Sequence, residues 1–500
     1  MERICIHYKM VYIIMSQVQN TIFQDDIAIL NLIDIIENGK ADFVLATEIE
    51  GGCMPAKFIY NGDGTFNLTF KMPQMMFEQI ERDFFFTHHM MLVAKEFRFL
   101  VQNQDVRSFR QHLTMEEEDI DTSLVINSFR ADIIDNLWKD SKQAAFCFWG
   151  NKDFHNHKFG VIFDMTTDKN QNSSWKNCVK LEIEKDIFLL YFNTSKDKRH
   201  FFVLKSQKEI DHDKFLIVLE AIRVALGLIS GYYIADSVWY FAMQLKDESS
   251  FTFRYENIDE SICNNHPLLD SAPYENLPEQ ERKLSSSQFE KLVIQFYKNK
   301  EMRRSSQLLI QAGNIKGISK GCLAAVALET IKLNIGKVSL HKKELINDKE
   351  IQSKLKYELN KGLKKIKNLV NPDVYERLES KIGQINQSSN AEKLEAPFEV
   401  LDIKLTDDEL YCLSYRNSFL HGATLKPKGD LYKCLNQSEL IEIVADRLIM
   451  LTAMLLLKKC GYDGNIVDWG YTKVAKHRAV TAMKHVNSGC AFRKLKPDEG

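Results

Sequence analysis

The eight residues Tyr415-Arg416-Asn417-Ser418-Phe419-Leu420-His421-Gly422 bring an arginine, an asparagine and a histidine into one short stretch. These side chains suit cleavage of an RNA strand without a metal. The ribose 2′-hydroxyl is an internal nucleophile already beside the phosphorus, so a protein need only move protons and stabilise negative charge. Histidine titrates near neutral pH and can serve as general acid or base. Arginine offers a planar fork of donors to the phosphorane-like oxygens. Asparagine can fix the imidazole tautomer or hold a phosphate oxygen. Other Arg–His pairs at similar spacing are Arg82 with His88 and His89, Arg107 with His112, and Arg478 with His485. Only Arg416 is followed by asparagine, and only its pair closes a strongly patterned helix at a glycine.

That helix is expected to begin near Thr406-Asp407-Asp408, where carboxylates complement the helix dipole, and to stop at Gly422. Leu410, Leu413, Asn417 and Leu420 recur at i, i+3, i+7 and i+10, which predicts one core stripe. Asn417 is then expected on the apolar face, where a buried amide must find partners. His421, one turn on, is the natural one, and Arg416 flanks the stripe. Arg416 and His421 stand about 140° apart on an ideal helix. Both reach one groove only if the last turn frays or a second copy of the helix completes the site.

The elements that must hold this helix are mostly helical. Periodicity predicts helices over 288–312, 319–335, 349–369, 372–386, 406–421 and 437–460, with connections short enough for an up-and-down bundle. Asn371-Pro372-Asp373 reads as a helix start. Before them, 258–287 is polar, carries Pro267, Pro273 and Pro278, and is expected to be a linker. From about residue 20 to 257 the signals are mostly strand. Phe58-Ile59-Tyr60, Asn61-Gly62-Asp63-Gly64 and Phe66 to Phe70 predict a hairpin. Further strand-like runs are 43–49, 91–100, 144–149, 159–164, 179–192 and 200–204, and one helix stands out at 212–229. The fold class is therefore α+β multidomain. A β-rich domain over 20–257, sandwich-like or a curved sheet with one packed helix, precedes an all-α bundle over 288–465. Residues 1–19 form an N-terminal extension and 466–500 a basic tail.

Composition narrows the function classes. With 500 residues, 45% hydrophobic and 27% charged, the chain can bury real cores, and general disorder is excluded. Ten scattered cysteines without a CxxC pair argue against a zinc ribbon or a secreted disulfide scaffold and for a reducing cytoplasm. The apolar run Leu448 to Leu457 is about half of what a bilayer needs, so no membrane partner is expected. No cleavage site follows the first sixteen residues, and Met15 is an alternative start. The net charge of −2 hides an asymmetry. Residues 281–500 hold 38 Lys+Arg against 26 Asp+Glu, a net of +12, which leaves −14 for residues 1–280. A basic back half suits a polyanion, although the two halves could equally attract each other.

Other motifs carry less. His155-Asn156-His157 and His88-His89 read as loop and core edge rather than metal ligands, and Glu116-Glu117-Glu118-Asp119 as a solvated run. Asn61-Gly62-Asp63-Gly64 lacks the strand–helix context of a phosphate loop. The basic run Lys354 to Lys367 reads first as a solvated helix face and second as a contact to RNA backbone. No cofactor or metal is expected.

Arg416, Asn417, His421 and Gly422, on the penultimate long helix of a C-terminal bundle, resemble the HEPN superfamily, whose ribonucleases carry an arginine four to six residues ahead of a histidine. The resemblance spans about 288–465. Ala327-Leu328-Glu329-Thr330 looks like the bundle helix where an acidic residue is frequent, and Glu329 could orient Arg416. The front half is similar, by architecture, to domains joined to HEPN bundles in ApeA-type abortive-infection proteins. The resemblance implies a HEPN-like bundle, a homodimer facing two motifs across a cleft, and Arg416, Asn417 and His421 as the catalytic set. It also implies metal-independent cleavage of tRNA or other host RNA, and a phage-derived trigger at the N-terminal domain. A non-catalytic HEPN module holding nucleotide, RNA or protein is the alternative.

Overall fold

The computed structural model describes residues 24–46, 53–73, 90–94, 98–102, 105–112, 119–131, 144–149, 159–166, 176–194, 200–233, 237–243, 251–257, 262–263, 267–269, 277–335, 346, 348–385, 390–427, 432–433, 435–474 and 492–495. The expected N-terminal extension, His88-His89, Glu116 to Glu118, His155 to His157 and Arg478 with His485 lie outside them. The chain forms two compact units. One comprises Met1–Asn265 with Lys283–Tyr297, the other His266–Arg282 with Lys298–Gly500.

The first unit is β-rich. Fifteen of its described strands join into one sheet, with Asp164–Thr166 at one edge and Val106–His112 at the other, and Tyr232–Tyr233 pairs separately with Ile262–Cys263. Every neighbouring pair in it is antiparallel. Phe66–Pro73 lies six places from Phe251–Glu256 in that order. A flat sheet would hold them about 29 Å apart, at ~4.8 Å per strand. Yet the rings of Phe66 and Tyr255 sit 5.0 Å centre to centre. The sheet therefore doubles back on itself and encloses an aromatic core. Phe129 is the hinge of that core, within 5.5 Å of Phe58, Phe66, Phe99, Trp239 and Tyr255.

Local sequence explains some of the turns. In the Asn61–Thr65 loop Gly62 and Gly64 have φ of +88° and +86°, and Asp63 accepts from the backbone N–H and hydroxyl of Thr65. The run at 179–192 instead proves to be two strands, Lys176–Ile183 and Asp186–Thr194. Glu184 and Lys185 make the turn at φ of +52° and +75° without a glycine. Tertiary contacts offset that strain, since the Glu184 carboxylate accepts from Tyr297 at 2.8 Å and pairs with Lys214 at 3.2 Å.

Two helices complete the sheet's packing. Helix α1 (Gln24–Glu37) sends Ile29, Ile33 and Ile36 into the core at helical spacing. The expectation of one packed helix in this region does not include it. Helix α2 (His212–Ser230) is capped by Asp211 and ends at Gly231 with φ of +72°.

The C-terminal region is helical. Helix α3 (Glu279–Arg282) belongs to the second unit and α4 (Ser286–Lys298) groups almost wholly with the first. The single helix expected over 288–312 is divided. Asn299 leaves the helix and caps α5 (Lys300–Asn314), accepting from the Met302 N–H at 3.0 Å. Next come α6 (Ile318–Ile335), α7 (Lys349–Lys365), α8 (Pro372–Gly383), α9 (Asn390–Val400), α10 (Asp407–His421) and α11 (Gln437–Lys459). Helix α6 is the hub, packed against α5, α9, α10 and α11. Its Gly321, Ala324, Ala325 and Ala327 keep the helix surface low, so neighbours approach closely. Among the described residues no helix is long and apolar enough to cross a membrane.

Phe129→Ala removes the ring on which five others converge. It is expected to cost about 3–5 kcal/mol, seen as a lowered urea midpoint.

Candidate active site

The helix that carries the Arg–Asn–His set is defined at both ends by its own sequence. Thr406 and Glu409 form a reciprocal capping box, and Gly422 closes α10 at φ of +65°. The buried stripe, however, is not the expected one. Glu409, Cys412, Leu413, Tyr415 and Phe419 face inward, whereas Leu410 is half-buried and Asn417 and Leu420 are exposed. The expectation that Asn417 lies on the apolar face is corrected. Polar anchors turn the helix. Arg493 donates to Glu409 at 2.8 Å, and the Tyr415 hydroxyl donates to the Lys426 carbonyl at 2.5 Å.

Tight packing sets the approach of α10 to α6. A Cβ on Gly321 would collide with the Phe419 ring, and the Cys322 thiol donates to the Phe419 carbonyl at 3.2 Å. This brings Arg416 to Glu329. The Arg416 guanidinium makes an ion pair with Glu329 Oε1 through Nη2 and donates from Nη1 to Asn417 Oδ1. The Glu329 Oε2 pairs with Lys332 Nζ at 2.7 Å. One carboxylate thus lies between two cations, and the trio keeps a formal charge of +1. The side chain of Arg416 is 12% exposed, and its Nε is buried without a hydrogen-bond partner among the described residues. Of five guanidinium N–H donors, two are engaged by Glu329 and Asn417 and a third, on Nε, is buried, which leaves one on each terminal nitrogen for a further acceptor. His421 is exposed and has no hydrogen-bond partner among the described residues. Asn417 therefore finds its partner in Arg416, not in His421. Lys332 was not among the expected site residues, although its i, i+3 spacing from Glu329 on a helix signals the pair.

A second polar cluster anchors α10 to α11. The Arg447 guanidinium donates to the Tyr432 hydroxyl at 2.7 Å, which lies 3.4 Å from Cys412 Sγ, and pairs with Asp468 at 3.5 Å. Burial works against the Arg447 charge, but Cys412, Asp468 and Tyr432 more than restore it, holding its pKa above the ordinary value. Burial raises Asp468 against the pull of Arg447. Burial also pushes the Cys412 thiol up to about 11, with Arg447 opposing. Among the described residues no three His, Cys, Asp or Glu side chains converge as metal ligands would.

Two outcomes follow from this packing. Gly321→Ala is expected to destabilise by about 1–3 kcal/mol, read as a fall in Tm, because the Phe419 ring has no free space. The folded chain keeps the Cys412 proton that an unfolded chain releases from about pH 9.0 upward. Stability from this thiol is thus present below pH 9 and lost as pH rises toward 11. Alkylation at about pH 8 should label exposed Cys53 and spare Cys412, as mass spectrometry of the intact fold would show.

No protein-family model matches this chain, and neither curated proteins nor solved structures show significant similarity to it.

Proposed function

We propose that this chain is a metal-independent endoribonuclease whose chemistry is carried by Arg416 and His421, with Asn417 fixing the arginine. The supporting observation is an arginine held by Glu329 through part of its donor set, on the same terminal turns as an unpartnered, exposed histidine. In this reading the ribose 2′-hydroxyl attacks the adjacent phosphorus. An imidazole takes its proton, Arg416 stabilises the phosphorane oxygens, and a second imidazole protonates the departing 5′-oxygen. The products are a 2′,3′-cyclic phosphate and a 5′-hydroxyl. Arg416 points inward and His421 outward on one helix, so a second copy of α10 in a homodimer supplies the opposing pair. As an abortive-infection toxin the protein would cut host RNA, tRNA included, in the cytoplasm, with a phage-derived trigger acting on the β-rich unit.

One observation favours a second reading. Arg416 is only 12% exposed and already engaged by Glu329 and Asn417. A non-catalytic module that binds RNA, nucleotide or protein would hold it so.

His421→Ala and Arg416→Ala are each expected to lower cleavage by about 10²-fold or more while the circular dichroism spectrum and Tm hold. Glu329→Gln should lower kcat by roughly tenfold to a hundredfold with little change in KM. Activity should persist in EDTA and leave cyclic phosphate ends. If wild type and variants bind RNA equally and none cuts it, the binding-module reading replaces this one.

A further inference from the structure

Helix α7 packs on α8. Ile351, Leu355, Leu359 and Leu363 recur at four-residue spacing on one face, where Leu363 is buried, Leu355 and Leu359 are half-buried and Ile351 is exposed. The opposite face is different. Lys354, Tyr357, Lys361 and Lys364 fall at i, i+3, i+7 and i+10, with Lys365 beside them, and all five are exposed. This stripe runs about 15 Å along the helix at 1.5 Å per residue. Tyr357 stands at its centre, 64% exposed, with the Lys361 ammonium 6.0 Å from the ring centre. None of the four lysines has a carboxylate partner among the described residues. Glu358 borders the stripe one turn from Lys354 and Lys361, and Glu350 occupies the first turn, where the helix dipole favours it.

We propose that this stripe is a docking track for the sugar–phosphate backbone of single-stranded RNA, with Tyr357 stacking on a base. Unpaired ammonium groups in a row neutralise successive phosphates and release counterions. An exposed aromatic ring between them offers a platform that any base can use. An anionic bilayer fits less well, because a membrane-binding helix needs apolar residues to insert beside its basic ones. Here the basic stripe itself carries no aliphatic residue, and Tyr357 is its one large ring. The choice of RNA among polyanions rests on the ribonuclease reading, for which α7 would hold the strand that Arg416 and His421 cut.

The test uses the full chain carrying His421→Ala, so that bound RNA survives. Anisotropy of a fluorescent single-stranded RNA of about 20 nucleotides is followed across salt concentrations. Lys354→Gln/Lys361→Gln/Lys364→Gln should reduce the slope of log affinity against log salt by about 2, at ~0.7 per phosphate contact. Tyr357→Ala should weaken binding about tenfold without changing the slope. Lys349→Gln/Lys356→Gln, on the same helix but off the stripe, should leave affinity within about twofold. An unchanged slope in the triple variant overturns the track. So does sedimentation with phosphatidylserine vesicles that is lost in the triple variant while RNA binding is kept. With His421 restored, the two ideas separate. If wild type cuts RNA and the α7 variants keep its KM, the track fails and the nuclease reading stands. If RNA binds through the stripe and wild type leaves it intact, the nuclease reading fails and the track stands.

Discussion

Under the nuclease reading, Arg416 must be held in place for a phosphate without being used up. The Glu329 carboxylate does this for Arg416, reaching from α6 to the last turns of α10 and binding one edge of the guanidinium. Lys332 takes the other carboxylate oxygen, so the pair does not neutralise itself. Because Glu329 keeps 24% of its surface and Arg416 12%, water screens the attraction, and its value is geometric more than energetic. The geometry in turn depends on how closely two helices can approach. Gly321 gives Phe419 its seat, and a helix surface of glycine and alanine makes α6 the axis on which the second unit is built.

The same helix is fixed at its other end and along its middle by buried polar groups. Arg493 reaches the capping-box Glu409, which is 1% exposed, and Arg447 gathers Tyr432 and Asp468 beside Cys412. Removing such groups from water is expensive, and an apolar cluster of equal volume would hold the helices as well. What polar anchors add is direction. Each hydrogen bond is satisfied at one rotation of α10 and lost at others, so they select which residues face inward. That selection puts Arg416 toward α6 and leaves Asn417 and His421 at the surface. Under the nuclease reading, this division within one helix is the reason a second copy belongs in the site.

Much of the local structure was readable from short-range chemistry. Thr406 with Glu409, and Gly422 after His421, mark the ends of α10 by groups within four residues of each boundary. Asn61-Gly62-Asp63-Gly64 makes its turn with glycines where φ must be positive. The order of a β-rich region followed by a helical one also follows from periodicity alone. The misreadings share a cause. Glu184-Lys185 turns without glycine because Tyr297 and Lys214, distant in sequence, hold it. The rotation of α10 departs from the leucine spacing, which places Leu410, Asn417 and Leu420 inside and does not include Glu409 or Tyr415. The partners that reverse this, Arg493 and the Lys426 carbonyl, lie elsewhere in the chain.

The amino-acid sequence by itself determined where α10 starts and stops, that residues of the right types for RNA chemistry end that helix, and that the helical half is basic. Caps, turn glycines and periodicity act within a few residues, so they are written locally. Only the tertiary structure decided that the fifteen strands double over, that Arg416 is partnered by Glu329, and that α7 buries Leu363 while Lys354, Lys361, Lys364 and Tyr357 stay outside. Those outcomes depend on which distant surfaces exclude water together. No local spacing encodes that choice, because the same side chain is stable inside or outside according to what it meets.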